Sequence, residues 1–166
     1  MIYEIERKFL VHGFVPPASA TAQRVQQGYA AITEDGTEVR VRRASGRHTL
    51  TVKHGLGLTR VEVEREISAE EFDALWPATE AARLTKDRYR IPDGPHTVVV
   101  DVYGGALSGL CTAEVEFPTA EHARRYAPPA WLGEEVTGVA AYLNQSLAAH
   151  GTPRHEKTTR THHHGL

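Results

Sequence analysis

Residues 4–8 read EIERK, inside an opening stretch MIYEIERKFLV at 1–11, so Glu4, Glu6 and Lys8 share one side of any strand and Ile5 and Arg7 the other. A strand with one buried face normally turns apolar groups inward and lets charges of either sign scatter into water. Two acids and a base lined up on one side are either a solvated face or the wall of a site that uses charge. The other strands of the chain bear on which it is.

The same period of two recurs at 37–43 (TEVRVRR), 48–54 (HTLTVKH), 59–67 (TRVEVEREI), 86–91 (KDRYRI), 97–103 (TVVVDVY) and 113–117 (AEVEF), and 24–29 (RVQQGY) adds one more. These segments are rich in Val, Ile, Tyr and Thr, and turn signals separate them: Glu34-Asp35-Gly36, Ser45-Gly46 and Pro92-Asp93-Gly94-Pro95. About eight strands joined by short turns predict a mainly antiparallel β (α+β) fold, closed into an eight-stranded barrel with helices packed outside. Ser68 followed by Glu71 has capping-box spacing, with Phe72, Leu75 and Trp76 as the apolar stripe of the helix it opens. Thr119 is placed to cap a short helix through Tyr126, and Thr137 to cap a last one reaching Ala149, with Gly151 as its stop. Residues 1–150 read as one domain and 151–166 as a flexible, His-containing tail.

Composition narrows the function classes. With 166 residues the chain can bury a substantial core, and a net charge of −2 argues against a broadly basic nucleic-acid partner. No apolar run has the length of a membrane span, and Cys111, the sole cysteine, rules out an internal disulfide framework; a cytoplasmic protein is expected. Cys111 reads as a small buried hydrophobe, Tyr29 as a packing tyrosine, and Trp76 and Trp131 as anchors of helices on the barrel. No nucleophile setting, P-loop or dinucleotide spacing is present.

Charge is sorted by strand face. Arg40 and Arg42 alternate with Val39 and Val41; Arg60, Glu62, Glu64 and Glu66 with Val61, Val63 and Arg65; Lys86, Arg88 and Arg90 with Asp87 and Tyr89; Glu114 and Glu116 with Ala113 and Val115. Lys53 and Asp101 are further members of the charged set. Same-sign pairs two residues apart repel, and folding rewards them only if a ligand or the next strand supplies the opposite sign. If the apolar faces turn outward to the helices, the charged faces line a wet channel. Arg and Lys there would bind a polyanion, and clustered carboxylates would take a hard divalent cation, Mg²⁺ or Mn²⁺, giving a site for a metal–polyphosphate complex. Solvated strand faces are the alternative that spacing alone leaves open.

The motifs EIERKFLV, QQGY at 26–29, VRVR at 39–42, LTVK at 50–53, GLTRVEVERE at 57–66, LWPATEAARLTKDRYRIP at 75–92, DVYGGALSGL at 101–110, AEVEF at 113–117 and WLGEEVTG at 131–138 together resemble the CYTH superfamily of triphosphate tunnel metalloenzymes, most closely its small bacterial inorganic triphosphatases. The resemblance spans residues 2–148. It implies an eight-stranded tunnel that hydrolyses inorganic triphosphate with Mg²⁺ or Mn²⁺. Lys8, Arg40, Arg42, Lys53, Lys86 and Arg88 match its phosphate clamp, with Arg60 and Arg90 as further members. Glu4, Glu6, Glu62, Glu64, Asp101, Glu114 and Glu116 match its acidic, metal-holding set, with Glu4, Glu6 and Glu116 at the metal-centred end. Catalysis is expected to centre on Glu4, Glu6, Lys8, Lys53, Lys86 and Glu116. Val139-Ala140-Ala141 departs from the charged residues that relatives often carry there. A nucleoside or thiamine triphosphatase, an adenylyl cyclase of the same superfamily and a non-catalytic polyphosphate-binding module are the competing readings. Whether subunits pair as a homodimer is left open.

Overall fold

The computed structural model describes residues 2–153. Eight strands close one antiparallel barrel: β1 (Tyr3–Leu10), β2 (Gln23–Ile32), β3 (Glu38–Ala44), β4 (Arg47–His54), β5 (Thr59–Ile67), β6 (Arg83–Asp93), β7 (His96–Tyr103) and β8 (Cys111–Glu116). Their order around the ring is β1-β5-β4-β3-β2-β6-β7-β8. β1 closes it, pairing Glu4 with Arg60 on β5 and Glu6 with Glu116 on β8. Full closure leaves no long sheet edge to template aggregation. β2 and β6 run longer than alternation predicts, because Ala31 and Ile32 pair with Val39 and Glu38 on β3, and Arg83–Thr85 pair with Gln26–Gly28 on β2. The two-residue connection between β3 and β4 has positive φ at both Ser45 (51°) and Gly46 (75°), the geometry that matches the twist of a hairpin.

Apolar residues lie outside the ring and at one end of it. Phe9, Val98, Val100, Ala113 and Val115 point outward and are covered by Phe117, Leu132 and Ala123, the last from α2 (Ala120–Arg125). A second cluster comprises Leu10, Leu84, Tyr103, Leu107, Val136, Tyr142 and Leu147. Leu10, Leu84 and Tyr103 continue the inward sides that carry Lys8, Lys86 and Asp101, so the charged face of these strands ends in an apolar plug. The plug includes Leu147 of α3 (Asn144–His150) and closes that end of the bore.

The capping box at Ser68 and Glu71 is formed, and it starts α1 (Ala69–Leu75). Phe72 of α1 is buried and stacks on Trp76 at 5.1 Å; Arg43 and Arg83 lie over the two rings, so Trp76 anchors the helix to the barrel as expected. Trp131 is 40% exposed and packs on Phe14 of the loop after β1. Gly28 on β2 sits against the buried Thr79, and a Cβ there would lie 2.4 Å from Thr79 Oγ1. Gly28→Ala is expected to lower the urea unfolding free energy by about 1–3 kcal/mol, an overpacking cost; an unchanged midpoint would show that the 3₁₀ turn at 76–79 yields freely.

The last helix differs from expectation. Thr137 caps nothing: its hydroxyl accepts the Lys8 N–H at 2.9 Å and donates to Glu135 Oε2. Gly138 follows with φ of 73°, which no helix continues, then a 3₁₀ turn at Ala140–Tyr142, and α3 starts only at Asn144. Gly151 ends α3 as predicted. Of the predicted tail, residues 154–166 with the three consecutive histidines lie outside the described residues. No helix among the described residues is long and apolar enough to cross a membrane.

Candidate active site

The charged strand faces converge on one cavity of about 780 Å³, within the range that small-ligand sites occupy. Its mouth carries Pro95, His96 and Thr97 of the β6–β7 hairpin with Pro118 and His122 from the start of α2; Asn144 at the start of α3 marks the other end. Of the residues expected from sequence, Glu4, Glu6, Arg40, Arg42, Lys53, Glu62, Glu64, Arg88, Arg90, Glu114 and Glu116 line this space. Glu66, at the end of β5, is exposed and pairs with Arg47 at 3.0 Å, so it is a rim charge.

The lining is polar in the electrical sense. Glu4 and Glu6 on β1 and Glu116 on β8 bring one carboxylate oxygen each within 4.8 Å of one another. Strand register causes this: Glu6 and Glu116 are directly paired, and Glu4 follows on the same face of β1. Crowding raises their proton affinity. Burial, then Glu114 and Glu4, push Glu6 well above the ordinary carboxylate range; burial, with Glu62 and Glu114, raises Glu4 against the pull of Lys53; burial and Glu62 raise Glu116. Glu114 behaves oppositely. Burial works to raise it, but Lys8, the hydrogen bond from Glu6, Lys86 and Arg88 hold it well below the usual range.

Cations occupy the facing wall. Arg40, buried, reaches Thr51 Oγ1 at 3.3 Å and Glu64 at 3.6 Å, and its Nε has no partner. Arg42 donates to Gln27 Oε1 at 2.9 Å, and Gln27 donates in turn to the Tyr29 hydroxyl at 2.8 Å. Burial together with Arg40 and Arg88 pulls Arg42 down to about 9, the mark of a guanidinium short of negative charge. Arg88 grips Asp101 with two hydrogen bonds of 2.8 and 2.9 Å, and Arg90 donates to the Gln23 amide oxygen. Lys53 on β4 reaches the acids of the two strands beyond it in the ring, 3.0 Å from Glu4 on β1 and 3.4 Å from Glu62 on β5.

Four predicted residues stand behind the lining. Lys8 Nζ donates to the Tyr142 carbonyl at 2.6 Å, and Lys86 to Asp101 at 2.7 Å. Asp101 is thereby enclosed by two cations and lies apart from the Glu4–Glu6–Glu116 cluster. Arg60 is tied to Glu38 at 3.0 Å and to the carbonyls of Gly55 and Gly36. The register of β5 decides this: Arg60 begins the strand opposite Glu4, and its long side chain folds toward the closed end. Gln27, Glu38 and Gln145 are buried polar groups of the same network that went unassigned in the sequence reading. Their signal was parity, since Gln27 shares a strand face with Tyr29 and Glu38 shares one with Arg40. Tyr29 is buried as a packing residue, with its hydroxyl pushed up to about 12 by burial and Glu38. The Cys111 thiol is likewise raised by burial to about 12, so it is no ready thiolate.

No family model matches the chain. An inorganic triphosphatase of Nitrosomonas europaea is 43% identical over 147 residues, covering 87% of this chain and 96% of the relative. An inorganic triphosphatase of Acetivibrio thermocellus is 36% identical over 146 residues, covering 87% and 92%. A crystal structure of an inorganic triphosphatase matches at 38% identity with a TM-score of 0.67, covering 92% of this chain and 99% of that one. A Pyrococcus horikoshii protein, 17% identical with a TM-score of 0.54 over 95% of this chain, shares the fold alone. Identity of this extent over nearly the whole length of the relatives, on a closed eight-stranded barrel, shows that the chain belongs to the inorganic triphosphatase branch of the CYTH superfamily.

Proposed function

We propose that this chain hydrolyses inorganic triphosphate to pyrophosphate and orthophosphate inside the barrel, using Mg²⁺ or Mn²⁺ held by Glu4, Glu6 and Glu116. One observation carries the reading: one cavity inside the barrel has a guanidinium wall facing a carboxylate cluster. The donor set fits a hard divalent cation, being all oxygen and crowded enough to favour protons over bare charge. Bound there, such an ion supplies charge neutralisation and a more acidic water for attack on phosphorus.

The chain's own groups supply positioning, which dominates phosphoryl transfer. The unpartnered Nε–H of Arg40 and the fork of Arg42 meet phosphate oxygens, with Gln27 holding Arg42 in place. Asp101 orients Arg88 from behind. Lys53 screens Glu4 from Glu62, its neighbour on the adjoining strand. Lys8 and Lys86 hold Glu114 toward its ionised form. The barrel walls exclude bulk water, so each of these interactions is stronger than in solution. With one cysteine the chain builds no internal disulfide framework, and we place the enzyme in the cytoplasm.

A nucleoside triphosphatase or cyclase needs a pocket for a base; the cavity lining holds no Phe, Tyr or Trp, and its two histidines stand at the mouth. A binding module without turnover has no need of the three-carboxylate cluster. The deciding experiment is a panel of tripolyphosphate, ATP and thiamine triphosphate with Mg²⁺, Mn²⁺ or chelator, reading orthophosphate, pyrophosphate and cyclic AMP. Orthophosphate released from tripolyphosphate in preference to the others, and lost with chelator, is expected; no release with either metal refutes the reading. Arg42→Ala is expected to raise KM for tripolyphosphate about ten- to a hundredfold, the loss of a charge-assisted contact, with a smaller change in kcat. A steady-state titration checks it, and an unchanged KM removes Arg42 from the clamp.

A further inference from the structure

Asn144 stands where the charged bore meets the apolar plug. It is the first residue of α3, and its half-buried side chain lines the main cavity next to Tyr103 of the plug. The amide is not free to turn there. Its Oδ1 accepts the hydroxyl of Tyr103, a buried residue of β7. A phenol has one proton to give, so the Tyr103 oxygen accepts in turn from the Thr112 hydroxyl, 3.3 Å away and fully buried on β8. Donation therefore runs one way, from Thr112 to Tyr103 to Asn144, and this fixes which end of the amide is the acceptor. Nδ2 keeps two protons and has no partner among the described residues.

The side chain does no work for its own helix. The N-cap position of α3 is Leu143, and no side chain caps that end. The neighbouring donors are engaged elsewhere. Lys8 is held by the Tyr142 carbonyl at 2.6 Å and Lys86 by Asp101 at 2.7 Å, and neither lines the cavity. Gln145 donates to Glu38 at 3.3 Å. Val139, Ala140 and Ala141, which lead into the helix, add no charge. At the closed end, then, a neutral amide held from behind presents its N–H groups to the bore. A bare N–H pair has nothing to offer a cation; it suits an anionic oxygen.

We propose that Asn144 is a substrate-contacting residue, whose amide N–H groups donate to the oxygens of the phosphate that reaches the closed end of the bore, and that Tyr103 is the positioning residue that keeps them aimed there. The inference rests on the reading that the bore takes a triphosphate. It gives the buried Tyr103–Thr112 pair a purpose beyond packing, since that pair decides the orientation of a side chain that the cavity exposes.

The test is calorimetric titration of the full chain with tripolyphosphate in chelator, where nothing turns over. Asn144→Ala is expected to bind about ten- to a hundredfold more weakly than wild type, the loss of hydrogen bonds to a charged group. Asn144→Asp separates contact from structure. It keeps an oxygen for the Tyr103 hydroxyl and suits the first turn of a helix, so a merely structural role predicts wild-type binding. A carboxylate aimed at phosphate instead predicts binding weaker than in Asn144→Ala, with the melting temperature retained. Tyr103→Phe frees the amide to turn and is expected to weaken binding about three- to tenfold. Combined with Asn144→Ala it is expected to add nothing, because Tyr103 acts through Asn144. Wild-type affinity in Asn144→Ala or in Asn144→Asp overturns the contact, and losses that multiply in the double variant overturn the positioning role of Tyr103. Phosphate release by the wild type with Mg²⁺ is a separate rate measurement; its absence refutes the hydrolase reading and leaves this affinity comparison intact.

Discussion

Glu6→Ala is expected to lower metal-dependent phosphate release from tripolyphosphate by more than about a hundredfold, beyond the ten- to hundredfold typical of losing a residue that only supports a metal ligand. The same substitution is expected to leave the melting temperature in chelator unchanged or higher. Both effects have one cause. Glu6 is half-buried in a group of like charges, where desolvation, Glu114 and Glu4 all disfavour its ionised form. Folding therefore takes up a proton there. Because the folded-state proton affinity is raised, this strain is absent below the ordinary carboxylate value near 4.3 and grows as pH rises through the folded value. Removing the carboxyl removes the strain and the proposed ligand together, a stability gained where function is lost. Glu116→Ala should show the same loss of turnover, with less change in stability because Glu116 stands at the mouth and is exposed. Measured kcat/KM within tenfold of wild type for both variants would dismiss the carboxylate cluster as the metal site.

Asp101→Ala carries the largest expected effect on stability. Asp101 is fully buried and is the counter-ion of both Lys86, itself fully buried, and Arg88, which reaches the cavity lining. Its deletion strands two cations in the barrel wall, and breaking a buried pair in this way costs about 3–5 kcal/mol. The urea midpoint followed by circular dichroism reads it directly, and a midpoint equal to wild type would mean that water or another acid replaces the carboxylate. The pH dependence has a definite sign. Burial works to raise the Asp101 carboxyl, but Lys86 and Arg88 outweigh it and hold it below its usual value. A depressed folded-state value gives stability that is present above the unfolded value near 3.9 and lost as pH falls through the folded one. Asp101→Asn should therefore unfold less steeply in acid than wild type while starting from lower stability at neutral pH.

Much of the fold was legible in the chain. Each of the eight strands coincides with a run of period two, and Ser68, Thr119 and Gly151 mark helix ends where the structure has them. Alternation encodes which side chains share a face, so the grouping of Glu4 with Glu6, and of Arg40 with Arg42, needed no coordinates. The misread element was the segment after β8. Thr137 looks like a helix cap by type and position, yet its hydroxyl is taken by the Lys8 backbone on β1, a residue 129 positions away in sequence. Local capping preference loses to a long-range hydrogen bond that satisfies a strand's backbone.

Arg60 and Asp101 show the same limit inside the site. Each has the residue type and the parity of a tunnel-lining group, and each is consumed by a buried partner, Glu38 for Arg60 and the Lys86–Arg88 pair for Asp101. Period two is a property of the backbone pleat, so it assigned faces and strands from the chain alone. Register between strands, the end of the bore that Leu10, Leu84 and Tyr103 seal, and which charges keep a vacancy for a ligand all depend on contacts between residues distant in sequence. Those are set by closure of the ring, because only closure brings β1 between β5 and β8 and places Glu116 beside Glu6.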